Sequence, residues 1–186
     1  MKAFPVLALT ALVLVGCTVD YVTDSTAPVE LIIAQINDGE VLRSNLSSAT
    51  LLPSPDFVTL AVANRAKNPN VAGTAVNNHV LLEQYEVRYF RTDGRGSEGV
   101  DVPFRITGAL RINVDVAESG AQDVIIEVVR SQAKMEPPLR NLLVESSTVL
   151  TVIAEITLRG RTIGGQGVSA RGNMQIDFGN FSAVGP

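Results

Sequence analysis

The chain has 186 residues, a formal net charge of −4 at pH 7, a single cysteine, no tryptophan and only 5% aromatic residues. One cysteine excludes an intrachain disulfide, and an acidic balance lacks the basic face that a nucleic-acid partner requires. The scarcity of aromatics weakens a carbohydrate-binding reading, since sugar faces stack on broad aromatic platforms, while the length suits one domain with a sizeable core.

The amino terminus reads MKAFPVLALTALVLVG, with Lys2 and the terminal amine as its positive end and Thr10 as the only polar side chain across residues 3–15. A charged start before an apolar run is the layout of a secretory signal. A spanning helix needs about 20 apolar residues, yet polar residues begin at Thr18 and Asp20, so this run is too short to remain as a span. Leu14-Val15-Gly16-Cys17 resembles the lipobox of bacterial lipoproteins. The resemblance implies a diacylglyceryl thioether on Cys17, cleavage of residues 1–16, and acylation of the new amine with a fatty chain such as palmitate. Two or more chains hold a protein on a bilayer, each buried methylene contributing about 0.8 kcal/mol. Thr18 stands where an aspartate resembles the inner-membrane retention signal, so the expected location is the outer membrane in a two-membraned cell. Three other readings of Cys17 are an inert buried side chain, a residue of an ordinary secreted protein whose cleavage signal only resembles a lipobox, and a catalytic thiol, which would need the sole histidine, His79, as its base.

Residues 17–28 read as a lipidated tether, and residues 29–186 as the folded domain. The tether segment TVDYVTDSTAP is polar, ends in proline and reaches about 35 to 40 Å when extended. From Val29 the signal has period two. Strands are expected at VELIIAQI (29–36), FVTLAVAN (57–64), HVLLEQYEVRYFRT (79–92), GALRINVDV (108–116), QDVIIEVVR (122–130), STVLTVIAEITLRG (147–160) and GVSARGNMQIDF (167–178). In GALRINVDV the alternation is cleanest, with Leu110, Ile112, Val114 and Val116 set against Arg111, Asn113 and Asp115. Turn chemistry separates the strands at Asn37-Asp38-Gly39, Lys67-Asn68-Pro69-Asn70, Asp93-Gly94, Glu118-Ser119-Gly120 and Gly164-Gly165-Gln166-Gly167. This spacing predicts an all-β, antiparallel, immunoglobulin-like sandwich of about seven to nine strands. The exception is SQAKMEPPLRNLLVE (131–145), where Pro138 opens a short helix whose Leu139, Leu142 and Leu143 share a face and close one end of the core.

The run VTLAVANRAKNPN (58–70), followed by YEVRYFRTDG and VPFRITGALRINVDV, resembles the late-embryogenesis-abundant type 2, or water-stress and hypersensitive-response, domain over residues 57–130. That resemblance implies an immunoglobulin-like sandwich without catalytic residues. The polar stretch VAGTAVNN departs from the compact pattern of that family. The chain also resembles uncharacterised bacterial lipoproteins that end in a strand like QIDFGNF.

Four constellations bear on chemistry. Gly94-Arg95-Gly96-Ser97-Glu98-Gly99 fits G-x-G-x-x-G, but VDVPFRI follows, where a dinucleotide site needs a helix. Asp93, Glu98 and Asp101 offer oxygens to calcium without EF-hand spacing, against a solvated acidic loop as the simpler reading. His79 and Ser169 lack the elbow context of a triad, and one histidine makes a poor zinc site. Arg88, Arg91, Arg95, Arg105 and Arg111 are either a cationic patch for phosphate headgroups or, since they alternate with aliphatics, a solvated sheet face.

The sequence therefore leads to a non-enzymatic, lipid-anchored envelope protein that acts as a binding or assembly module. No cofactor is expected, and the expected partners are the membrane, through the lipid, and an envelope protein. The loops at 65–79 and 92–101 are the expected carriers of recognition. The alternative is a lipid-anchored carrier that holds an apolar small molecule between its sheets, which calls for a cavity of several hundred Å³.

Overall fold

A computed structural model describes residues 26–47, 52–68, 76–116, 120–143 and 148–181. The expected signal segment, with Leu14, Val15, Gly16 and Cys17, lies outside the described residues, as do parts of the turns expected at 67–70 and 118–120.

Among the described residues eight strands form: β1 (Val29–Ile36), β2 (Leu42–Asn45), β3 (Asp56–Ala66), β4 (Val80–Phe90), β5 (Ile106–Val114), β6 (Gln122–Val129), β7 (Leu150–Thr162) and β8 (Gly167–Gly179). They make a three-stranded sheet in the order β1-β3-β6 and a five-stranded sheet in the order β2-β8-β7-β4-β5. The all-β sandwich and its strand number are those the alternation predicts. Seven strands overlap the expected runs, shifted by up to three residues at their ends, because each carries aliphatics at every second position and is bounded by turn formers.

The eighth, β2, is not among the expected strands, and it corrects the expectation of a wholly antiparallel fold. Its four residues, LRSN, pair in parallel with Ile176–Gly179 of β8. They contain one aliphatic and so carry no periodic signal. The turn before it explains the crossing: Asn37, Asp38 and Gly39 all have positive φ (50°, 54° and 80°). Asn37 Nδ2 donates to Glu40 O at 3.0 Å. Three successive left-handed residues, all of them types that tolerate this conformation, turn the chain from one sheet to the other.

The segment 131–145 also departs from expectation, since two one-turn helices form, α1 (Ser131–Lys134) and α2 (Leu139–Leu142). Pro137 and Pro138 separate them by removing backbone donors. Leu139 is fully buried and Leu142 packs against the core, whereas Leu143 is exposed and leaves the shared face.

The core lies between the sheets. Val58, Leu60 and Val62 of β3 and Val124, Ile126 and Val128 of β6 face Val87 and Tyr89 of β4, Ile156 and Leu158 of β7, and Ile176 and Phe178 of β8. Burial of each large aliphatic contributes about 1.5–3 kcal/mol. Tyr89 crosses the gap and donates its hydroxyl to Val128 O at 2.6 Å, so that a buried polar atom joins the layers without being orphaned.

Two glycines mark close approaches. Tyr85 lies over its cross-strand partner Gly108, where a Cβ would sit 2.1 Å from the ring. At the β4 bulge between Leu82 and Gln84, a Cβ on Gly160 would meet Leu81 O at 2.4 Å, so only glycine lets the bulged strand close on β7.

Candidate functional site: two unlike outer faces

The outer face of the five-stranded sheet is laced with ion pairs. Arg159 Nη1 stands 3.0 Å from Glu86 Oε2, Arg171 Nη1 3.4 Å from Glu155 Oε2, and Arg161 Nε 3.1 Å from Glu83 Oε2. Exposed pairs of this kind contribute about 0–1 kcal/mol each, but they neutralise one another and leave a polar, self-satisfied surface.

The arginines of the expected patch are distributed among local partners rather than gathered. Arg91 and Arg95 both hold Asp93, at 3.1 and 2.8 Å. Arg105 holds Glu98 at 2.8 Å and approaches Glu86 at 3.9 Å. Arg88 stacks its guanidinium carbon 5.5 Å from the Phe90 ring centre, and Arg111 is exposed on the edge strand β5. The outer sheet face is thus the solvated one that alternation favours.

The same contacts engage the carboxylates of the calcium candidate. Asp93 accepts from the Arg95 side chain and backbone N–H and from Arg91, and these bonds hold its carboxyl far below the usual carboxylate range. Glu98 faces Arg105, and Asp101 accepts from the Ser97 N–H at 3.2 Å. The three carboxylates point to three different donors, and among the described residues no group of three His, Cys, Asp or Glu side chains is arranged to hold a metal ion.

The glycine pattern in this loop also makes an internal structure. Gly94 and Gly99 take positive φ, 82° and 75°. The N–H groups of Gly99, Val100, Asp101 and Val102 bond to Val102 O or Ser97 O, and a strand follows instead of a helix. Most of the donors a phosphate would need, including the N–H groups of Gly94, Arg95, Ser97 and Gly99, are occupied within the loop or its flanks. His79 Nδ1 lies 2.8 Å from Asp115 Oδ1, at the start of β4. Ser169 sits further down the ladder on β8, opposite Arg159, so these two do not form a nucleophile and base.

The outer face of the three-stranded sheet is different in kind. The registers Ile32↔Ala63, Gln35↔Ala61, Thr59↔Ile125 and Phe57↔Glu127 place Ile32, Ala63, Ala61, Thr59, Phe57 and Ile125 on one side of it. Phe57 is 56% and Ile125 64% exposed. They occupy diagonal positions across β3 and β6, where side chains still reach one another. Glu30, Arg65, Asp123 and Glu127 border them. An apolar strip edged by charge is the ordinary anatomy of a contact surface. The reading of the loops as recognition elements missed it. Its signal was present: FVTLAV and VIIEVV place aliphatic or aromatic residues at both parities, where a half-solvated strand such as β5 does not.

A buried polar cluster was also missed. Lys134 of α1 is 2% exposed, with Nζ 2.9 Å from Asp56 Oδ2 and 3.2 Å from Asn45 O. Ser44 Oγ donates to Asp56 Oδ2 at 2.5 Å. Four hydrogen-bonding groups from β2, β3 and α1 satisfy one another in a closed set, which fastens the two sheets at the end where the helices sit.

No helix among the described residues is long and apolar enough to cross a membrane. Compared with protein-family models, curated proteins and solved structures, the chain matches none.

Proposed function

We propose that this protein is a lipid-anchored component of the bacterial cell envelope, held at the outer membrane in a two-membraned cell, and that its sandwich is a non-enzymatic binding module. The anchor rests on Leu14-Val15-Gly16-Cys17 and the apolar run before it. The resemblance of residues 57–130 to the late-embryogenesis-abundant type 2 domain fits the same reading.

The observation that carries the binding role is the contrast between the two outer faces. One is covered by mutually paired charges, while the other presents Phe57 and Ile125 to solvent. Desolvating an apolar strip favours association, whereas desolvating satisfied ion pairs opposes it. The partner is an envelope protein that covers the β1-β3-β6 face. Space between the sheets is occupied by the core itself, with Leu60, Ile126, Ile156 and Phe178 fully buried there, which disfavours the carrier reading.

The test is photo-crosslinking in native membranes. A crosslinker at Phe57 or Ile125 is expected to capture a discrete protein adduct, and one at Glu155 on the opposite face is expected to capture none. Equal yields from both faces, or robust turnover by the protein in a broad hydrolase screen, would reverse the reading.

A further inference from the structure

The end of the sandwich from which the tether leaves is closed by a connected set of turns. Lys67 N–H donates to Pro28 O at 2.9 Å, which fixes the first described residues of the chain beside the end of β3. From that same end of β3, Asn64 Nδ2 donates to Asn78 O at 3.0 Å and to Val114 O at 3.1 Å, reaching the other sheet. The 76–79 turn is closed by His79 N–H on Val76 O at 3.1 Å. The β7–β8 hairpin then joins it, Ile163 N–H donating to His79 O at 2.9 Å and Gly164 N–H to Asn77 O at 3.1 Å.

Two aliphatic side chains project from this tied pair of turns. Val76 is 66% exposed and Ile163 53%. Turn tips in water ordinarily carry polar residues, and a single exposed aliphatic is unremarkable. Here two of them stand on turns hydrogen-bonded to each other, at the end of the domain to which the tether is fixed.

We infer that this end rests on the lipid surface, with Val76 and Ile163 entering the interfacial layer of the bilayer. The inference rests on the lipid-anchor reading of Cys17. Eight residues separate Cys17 from Thr26, and the chain cannot extend beyond about 30 Å over that stretch. The membrane is therefore always within reach of this end, and the high local concentration makes a weak contact effective. Apolar side chains buried about 5–10 Å into the headgroup region add to an acyl anchor. The arrangement also leaves the β1-β3-β6 face directed sideways, open to a protein partner, and the 91–105 loop at the opposite end.

Because the chain has no tryptophan, an introduced one is a solitary reporter. The lipidated protein, purified from its host, carries Ile163→Trp, Val76→Trp or Val100→Trp, and each variant is reconstituted in phosphatidylcholine vesicles with or without bromines near the acyl carbonyl end. Emission from the tryptophans at 163 and 76 is expected to fall about two-fold on bromination, with that at 100 unchanged. Unquenched emission at both 163 and 76, in protein whose mass shows an acylated Cys17, overturns the docking inference and leaves the anchor standing. Equal quenching at 100 overturns it too. A bare thiol at Cys17 overturns the anchor reading itself, and the docking inference then falls for that separate, visible reason.

Discussion

Lys134 and Asp56 lie 78 residues apart in the chain and meet at 2.9–3.0 Å, Nζ against both carboxylate oxygens, in the closed end of the sandwich. Asp56 is held on its other side by Ser44, so one carboxylate links β2, β3 and α1. Removing one partner of a buried pair leaves an uncompensated charge, which is far more costly than replacing both. Lys134→Ala is therefore expected to lower unfolding free energy by about 3 kcal/mol, while Lys134→Met combined with Asp56→Leu and Ser44→Ala restores most of it. Urea denaturation of the single and combined variants reads the difference, and a loss below about 0.5 kcal/mol for Lys134→Ala would show the pair to be incidental.

The crossing hydroxyl of Tyr89 makes stability depend on alkaline pH. Burial pushes this phenol well above the ordinary tyrosine range, with the nearby charge of Arg130 opposing the shift. A folded-state value raised above the unfolded one contributes stability that is complete below the unfolded value, about pH 10, and is lost as pH rises past it. Tyr89→Phe should cost about 1–2 kcal/mol at neutral pH by removing the bond to Val128 O. It should also flatten the decline between neutral pH and pH values above 10, measured by chemical denaturation across that range.

At Gly108 and Gly160 the same addition of a methyl group has different neighbours. Ala at 108 meets the ring of Tyr85, a side chain, and is expected to cost about 1–3 kcal/mol through overpacking. Ala at 160 meets Leu81 O, a backbone atom in a bulge, and is expected to cost more because the strand itself must move. Thermal midpoints of the two variants give the order. A Gly160→Ala protein as stable as the parent would contradict the account of the bulge.

Phe57 and Ile125 are largely exposed on the outer face of the three-stranded sheet. Phe57→Thr with Ile125→Thr is expected to change unfolding free energy by less than about 0.5 kcal/mol, while abolishing capture of the proposed envelope partner from native membranes. Loss of stability without loss of capture would assign these side chains to the fold instead.

Asp93, Glu98 and Asp101 are expected to bind no calcium, because each carboxylate already faces its own donor. A ligand that prefers the native state raises the midpoint, so the thermal midpoint should be the same with millimolar calcium as with chelator. A rise would show that the Arg91, Arg95 and Arg105 contacts yield to the ion.

Strand positions were legible because the period-two pattern is local: Leu110, Ile112 and Val114 need no distant partner to declare a face. The turn at Asn37-Asp38-Gly39 was legible for the same reason, since its residue types tolerate the left-handed backbone found there. Strand β2 was not, because four residues with one aliphatic are held by the ladder of β8 and by nothing in their own sequence. The 131–145 segment was half legible: Pro138 and Leu139 announce α2, but Lys134 reads as a solvated cation until β3 brings Asp56 beneath it.

By itself, the sequence determined where seven of the eight described strands fall, and it names one atom, the sulfur of Cys17, as the expected point of attachment to a bilayer. These depend on the order of neighbouring residues, which the chain carries without folding. Only the tertiary structure decided which arginines meet carboxylates, that the 92–101 loop bonds largely to itself and its flanks, and that Phe57 and Ile125 share an exposed face. Each of those rests on register and on pairings across strands, where attraction depends on distances that residues remote in the chain acquire only when the sheets close on one another.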